Sequence, residues 1–134
     1  MTEERRTKVG AADKRLHKRV EVHNLVSCVC LNEDDRPIHE FMAVALDISR
    51  GGLLLESIQD AAPGKALLIS VDDQNEIIEV KGRIVYCRRS SVDKFSIGVA
   101  FSGSQVDIMR FVKGLIRAHH QVYSVITFFK PAIA

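Results

Sequence analysis

No tryptophan occurs in the 134 residues, and aromatic side chains make up only 6% of them. Small barrels that hold single-stranded nucleic acid usually offer exposed aromatic platforms to the bases, so that function has little to stand on here. Cysteines number three, Cys28, Cys30 and Cys87. Three thiols cannot all pair within one chain. In a strand, residues two apart point to one face, which makes Cys28 and Cys30 small core residues rather than half of a four-ligand zinc site. No apolar run approaches the ~18 residues of a membrane-spanning helix, and no apolar stretch of the signal-peptide kind follows the charged N-terminus. The expectation is a cytoplasmic protein with reduced thiols and no membrane insertion. Catalytic signatures are missing as well. His17, His23 and His39 are scattered without metal-ligand spacing, no Ser-His-Asp order is persuasive, and Arg50-Gly51-Gly52 is too short for a glycine-rich phosphate loop. His119 and His120 end a predicted helix, where imidazole suits the last carbonyls. These absences point away from an enzyme and predict neither a metal nor a cofactor.

What is present fits one soluble domain. The length suits a single core, 46% of the residues are hydrophobic and 27% are charged. The net charge of +2 is too small to argue for a nucleic-acid binder, but its distribution is uneven. Residues 1–19 hold seven basic and three acidic side chains, which leaves −2 on the remaining 115. A segment of this kind suits an anionic partner.

Residues 1–13 show no periodicity and are expected to form a mobile basic tail. From Val20 the pattern is β-like. Asn32 to Pro37 reads as a turn, Ile38 to Ile48 as a second strand, and Leu53 to Ser57 as a third after Arg50-Gly51-Gly52. Ala61-Ala62-Pro63-Gly64 marks another turn before a strand at Leu67 to Val71. Asp72 to Asn75 is turn chemistry. Glu76 to Arg88 forms a long fifth strand with Ile78, Val80, Gly82, Ile84 and Tyr86 on one parity. Phe95 to Phe101 forms the sixth, with Phe95, Ile97, Val99 and Phe101 on one face. Six strands at this spacing predict a mainly β fold, an antiparallel barrel that leaves no exposed edge. The period then changes. Ser104 and Asp107 resemble a capping box, and Ile108, Phe111, Val112, Leu115 and Ile116 line one side of an amphipathic helix to about His120, weakened slightly by Gly114. The expected divisions are the tail over 1–13, the barrel with its helix over 14–120, and an apolar extension over 121–134. That extension is a seventh strand, a packing segment or the contact of a homodimer.

Two motifs carry the function. Arg15 and Arg19 stand four apart just before the first strand, as R-x-x-x-R. Asp47-Ile48-Ser49-Arg50-Gly51-Gly52 is a D-x-S-x-x-G at the end of the second. In this order and spacing, within a six-strand pattern, the chain resembles the PilZ family, bacterial receptor domains for the second messenger cyclic di-GMP. The strands Gly82 to Tyr86 and Phe95 to Phe101 resemble the family's later strands, and the likeness runs from about Lys14 to His120. It implies a non-catalytic cyclic di-GMP receptor with Arg15, Arg19, Asp47, Ser49 and Gly52 at the ligand, and Lys14, Arg50, Gly51 and Gly98 as further candidates. The chemistry suits that ligand, which carries two phosphates and two guanines. An arginine fork bonds a phosphate bidentately, meets O6 and N7 of guanine, or stacks on the base. An ionised Asp47 accepts from guanine N–H groups. Ser49 donates to a phosphate or accepts from a base. Gly52 answers either a positive φ or a close ligand approach. Gly98 keeps a side chain off the barrel face.

The expected mechanism is that ligand recruits Arg15 and Arg19, orders the N-terminal segment on the barrel, and presents a new surface to a downstream protein in trans. The alternatives are a PilZ-like protein-interaction module without ligand, and a small nucleic-acid-binding barrel.

Overall fold

The alternation of apolar and polar side chains that begins at Val20 closes, in the computed structural model, into one antiparallel ring. The structure describes residues 18–133, and the side chains of residues 18–121. The strands are β1 (Val20–Leu31), β2 (Pro37–Ile48), β3 (Gly52–Ser57), β4 (Gly64–Val71), β5 (Ile77–Ser91) and β6 (Lys94–Phe101), followed by helix α1 (Gln105–Ile133). Around the ring they run β1-β2-β3-β6-β5-β4. Closure comes where residues 27–30 of β1 pair with 66–69 of β4. The predicted mainly β, six-stranded ring with a C-terminal helix is therefore observed.

Two of its turns are built alike. Asn32 Oδ1 accepts from the amides of Asp34 and Arg36 at 2.9 and 3.0 Å. Asp72 Oδ1 accepts from those of Gln74 and Glu76 at 2.8 and 2.9 Å. Three residues after each acceptor the chain enters the left-handed region, at Asp35 (φ 63°) and Asn75 (φ 62°). Asp and Asn tolerate that conformation better than most residues.

Inward side chains fill the ring. Val26, Leu55, Leu68, Ile84 and Ile97 are fully enclosed, each stabilising the fold by about 1.5–3 kcal/mol relative to exposure. Cys28 is part of this core, and Cys30 and Cys87 pack against it. Helix α1 closes one end with Ile108, Phe111, Val112 and Leu115. The Phe111 ring meets Phe101 edge-on at 6.1 Å, and Asn24 Nδ2 donates to the Leu115 carbonyl at 3.3 Å. The helix starts as expected, with the Asp107 amide donating to Ser104 Oγ at 3.1 Å. Gly114 does more than lower helix propensity. A Cβ there would lie 2.6 Å from Ile78 Cδ1, so its absence lets the helix settle onto β5.

Three boundaries differ from the sequence reading. β4 begins at Gly64 rather than Leu67, because residues 64–66 already pair with β5 at 82–84. β5 runs on to Ser91, since its outer end pairs with β6 as far as Lys94. The helix continues to Ile133, so the apolar end is helical rather than a seventh strand. Among the described residues no helix is long and apolar enough to cross a membrane.

A cavity at the end of the second strand

Antiparallel pairing brings the two motifs together. β1 and β2 run in register with Val20 opposite Ile48 and Glu21 opposite Asp47. Arg19, one residue before β1, is thereby carried to the end of β2. Its guanidinium donates to Asp47 Oδ1 and forms an ion pair with it across 28 residues of sequence.

The D-x-S-x-x-G segment is a self-bonded turn. The Ser49 amide donates to the Gly52 carbonyl at 2.9 Å, and the Gly51 amide donates to Ser49 Oγ at 3.1 Å. The Ser49 hydroxyl leans toward the Gly52 carbonyl at 3.5 Å, and only 6% of the residue is exposed. The Phe101 amide donates to the Gly51 carbonyl at 2.9 Å, fastening the turn to the end of β6. Gly52 is required for a reason other than the two expected. Its φ is not positive, and a Cβ would run into the carbonyl oxygen of Val99 on the paired strand. The close approach is by the protein's own backbone.

Two bulges shape the outer wall beside this turn. β2 carries Leu46 as an extra residue against β3, and β5 carries Val85 as an extra residue against β6. A bulge shifts every later side chain to the other face. The parity read from Ile78 through Ile84 therefore breaks before Tyr86, correcting the expectation that Tyr86 shares their inward face. Tyr86 pairs with Gly98, while Ile97 and Val99 on either side of that glycine are buried inward. Its ring lies over Gly98, where a Cβ would come within 2.6 Å of the phenol carbon Cζ. An aromatic covering a strand glycine is a recognised way of pinning register. The Arg88 guanidinium lies above the ring of Tyr86, 4.6 Å from its centroid.

Together these groups enclose an open cavity of about 470 Å³. Of the predicted site residues, Arg19, Asp47, Ser49, Gly51, Gly52 and Gly98 line it. Arg50 is exposed and is not part of the lining. Lys14 and Arg15 lie outside the described residues, as does the predicted tail. Sequence reasoning missed Tyr86, Leu54, Val85 and Ala100, which form the apolar part of the wall. A signal for Tyr86 existed in the glycine of β6, which only an outward aromatic on the neighbouring strand would cover.

The arrangement is suited to holding a ligand. It offers a guanidinium, a carboxylate and a flat aromatic in a space typical of ligand clefts. Asp47 is engaged by Arg19 and Ser49 by its own turn, so neither is poised as base or nucleophile. The thiols lie elsewhere. Burial, and secondarily the neighbouring Cys30 sulfur, pushes the Cys28 thiol up to about 12, and burial also raises Cys30. Both are weak nucleophiles at neutral pH.

A closed six-stranded ring, capped by a helix and bearing on its outer wall a cavity with a mixed polar and apolar lining, makes a small β domain with a candidate ligand site. More particularly, residues 13–118 match the model of the PilZ domain, and the chain belongs to that family. Solved structures agree on the fold. The PilZ domain of YcgR from Escherichia coli, determined with c-di-GMP, aligns with TM-score 0.53 at 12% identity, over 84% of this chain and 98% of that one. The Bacillus subtilis inhibitor of motility MotI/DgrA aligns with TM-score 0.57 at 15% identity, over 83% of this chain and 53% of that one. The K. pneumonia MrkH–c-di-GMP complex aligns with TM-score 0.55 at 16% identity, over 78% and 53%. The chain thus spans about half the length of MotI/DgrA and of MrkH. No curated protein sequence matches.

Proposed function

We propose that this chain is a cyclic di-GMP receptor that works by binding alone. The observation that carries the reading is the meeting of Arg19 and Asp47 beside the D-x-S-x-x-G turn, on the rim of a ligand-sized cavity. Membership of the PilZ family and the c-di-GMP complexes of YcgR and MrkH support the choice of ligand.

The residues divide the work as follows. Arg19 is kept in place by Asp47 and faces a phosphate or guanine edge. A ligand phosphate competes with the carboxylate for that guanidinium. Asp47, once released, accepts from the N–H donors of a guanine. Gly51 leaves the turn bare, so that a planar ligand can come close to its backbone, while Gly52 lets the turn sit against β6. Arg15 adds a second fork, and Lys14, Arg50 and the residues before them add positive charge around two phosphates. Closing the N-terminal segment over the ligand spends part of the contact energy on ordering it and creates the surface that a partner protein reads in trans.

Calorimetric titration with cyclic di-GMP tests this reading, with an Arg15→Ala/Arg19→Ala double variant as control. Saturable binding by the wild type and its loss in a folded double variant are expected. A folded wild type that gives no heat would overturn the receptor reading and leave the fold untouched.

A further inference from the structure

Leu25, Met42, Val71 and Ile77 stand in water on the outer face of the ring, with Leu25 65% and Ile77 71% exposed. None of them lines the cavity. Strand pairing joins them into rows that cross β5, β4, β1 and β2. One row runs Lys81, Leu67, Val29, Glu40. The next runs Glu79, Ile69, Ser27, Met42 by the same registers. Beyond it Ile77 pairs with Val71 and Leu25 with Val44. Ser70 Oγ donates to the Leu25 carbonyl at 2.7 Å and ties those two pairs together. The centre of this wall is thus apolar apart from Ser27, whose hydroxyl donates to Glu40 Oε2 at 2.8 Å and holds that carboxylate in place. Its first row ends in a cation on β5 and an anion on β2. Among the described residues neither Lys81 nor Glu40 has an ion-pair partner.

We infer that this wall is the contact between two copies of the chain. A contiguous exposed apolar face marks an interface, and the two charges name the partner. The two-fold axis lies in the interface, parallel to the strands and over the junction of β1 with β4. Rotation about it brings Lys81 of each copy to Glu40 of the other, as a self-complementary contact requires. The same rotation sets Ile77 and Val71 of one copy against Val44 and Leu25 of the second. Glu79 falls beside Met42 and stays at the rim. A two-fold axis across the strands would instead set Lys81 upon Lys81, so the charges select one arrangement as well as one partner. The inference is independent of the receptor reading. The cavity is backed by β3 and β6, on the other side of the ring, and stays open in both copies.

Sedimentation of the full chain over a concentration series tests this. The wild type should pass from one copy to two as concentration rises. Leu25→Asp places a carboxylate at two symmetric points of the contact and should weaken the dimer at least about tenfold. Lys81→Glu and Glu40→Lys, each alone, set like charges together and should weaken it about as much. All three positions are exposed, so the thermal midpoint of the monomer should hardly change. An equimolar mixture of the Lys81→Glu and Glu40→Lys chains should dimerise again, because every contact between them then joins opposite charges. A folding defect gives no such rescue. Amide exchange at residues 27–30 and 66–69, which lie under the contact, should slow as the dimer forms. A wild type that stays single up to about 1 mM would overturn the inference. So would a dimer that survives all three substitutions, or a mixture of the two charge variants that remains monomeric. Capture of a different protein by a monomeric wild type would give the wall to that partner and overturn its assignment to a second copy. Failure to bind cyclic di-GMP would leave the inference standing.

Discussion

Arg19 and Asp47 hold each other at the rim of the cavity with 31% and 24% of their side chains in water. A pair this exposed adds only about 1 kcal/mol or less to stability, so its value lies in aim rather than in strength. Asp47→Asn should leave the thermal midpoint within a few degrees of wild type and weaken cyclic di-GMP binding at least about tenfold. A melt and a titration on the same sample check both. The glycines behave in the opposite way. Gly98→Ala drives a methyl into the Tyr86 ring, which can swing away, and should cost about 1–3 kcal/mol in urea unfolding while opening the apolar wall of the cavity. Gly52→Ala meets backbone instead and should cost more. Cys28 sets a pH dependence. Its folded pKa stands near 12 against 9.0 for a free thiol, so above about pH 9 the unfolded chain releases a proton that the folded one keeps. Stability then falls as pH rises through that window. The slope should be shallower in Cys28→Val, as followed by urea midpoints from neutral to strongly alkaline pH.

Helix α1 and the ring depend on each other through a few large side chains. Phe111 is completely enclosed, and Phe111→Ala should cost about 3–5 kcal/mol, read from denaturant unfolding. These elements were legible because their chemistry is local. Alternation at Val22, Val26 and Cys28, the Asx turns at Asn32 and Asp72, and the Ser104 cap each follow from residues next to one another. The antiparallel pairing that joins Arg19 to Asp47 was legible only through the two motifs. The Val85 bulge was not. One extra residue in a strand leaves no mark in composition, yet it reverses every side chain beyond it, and for that reason Tyr86 and Arg88 escaped notice. The end of the helix was hidden for a different reason. Val122, Val125, Ile126 and Phe129 continue the three- and four-residue spacing of the preceding turns, and β-branched residues in such a run read equally as strand.

For the whole molecule, the proposed receptor action predicts greater amide protection over residues 10–20 when ligand is present, measured by hydrogen exchange. Unchanged protection there would limit signalling to the barrel wall. The topology imposes a second pattern of its own. A ring made from one chain has a latch, the junction of β1 with β4 at residues 27–30 and 66–69. In the order β1-β2-β3-β6-β5-β4, the junction diametrically opposite is β3 with β6, which backs the cavity. When the latch springs, the ring unrolls into a sheet that still carries Arg19 with Asp47, the turn and the Tyr86 wall. A ligand held there as proposed would be blind to whether the latch is shut, and what binds two states equally shifts neither. Saturating ligand should slow exchange across 52–57 and 94–101 and leave local opening at the latch as frequent as before. The protein would carry its signal on one side and breathe on the other.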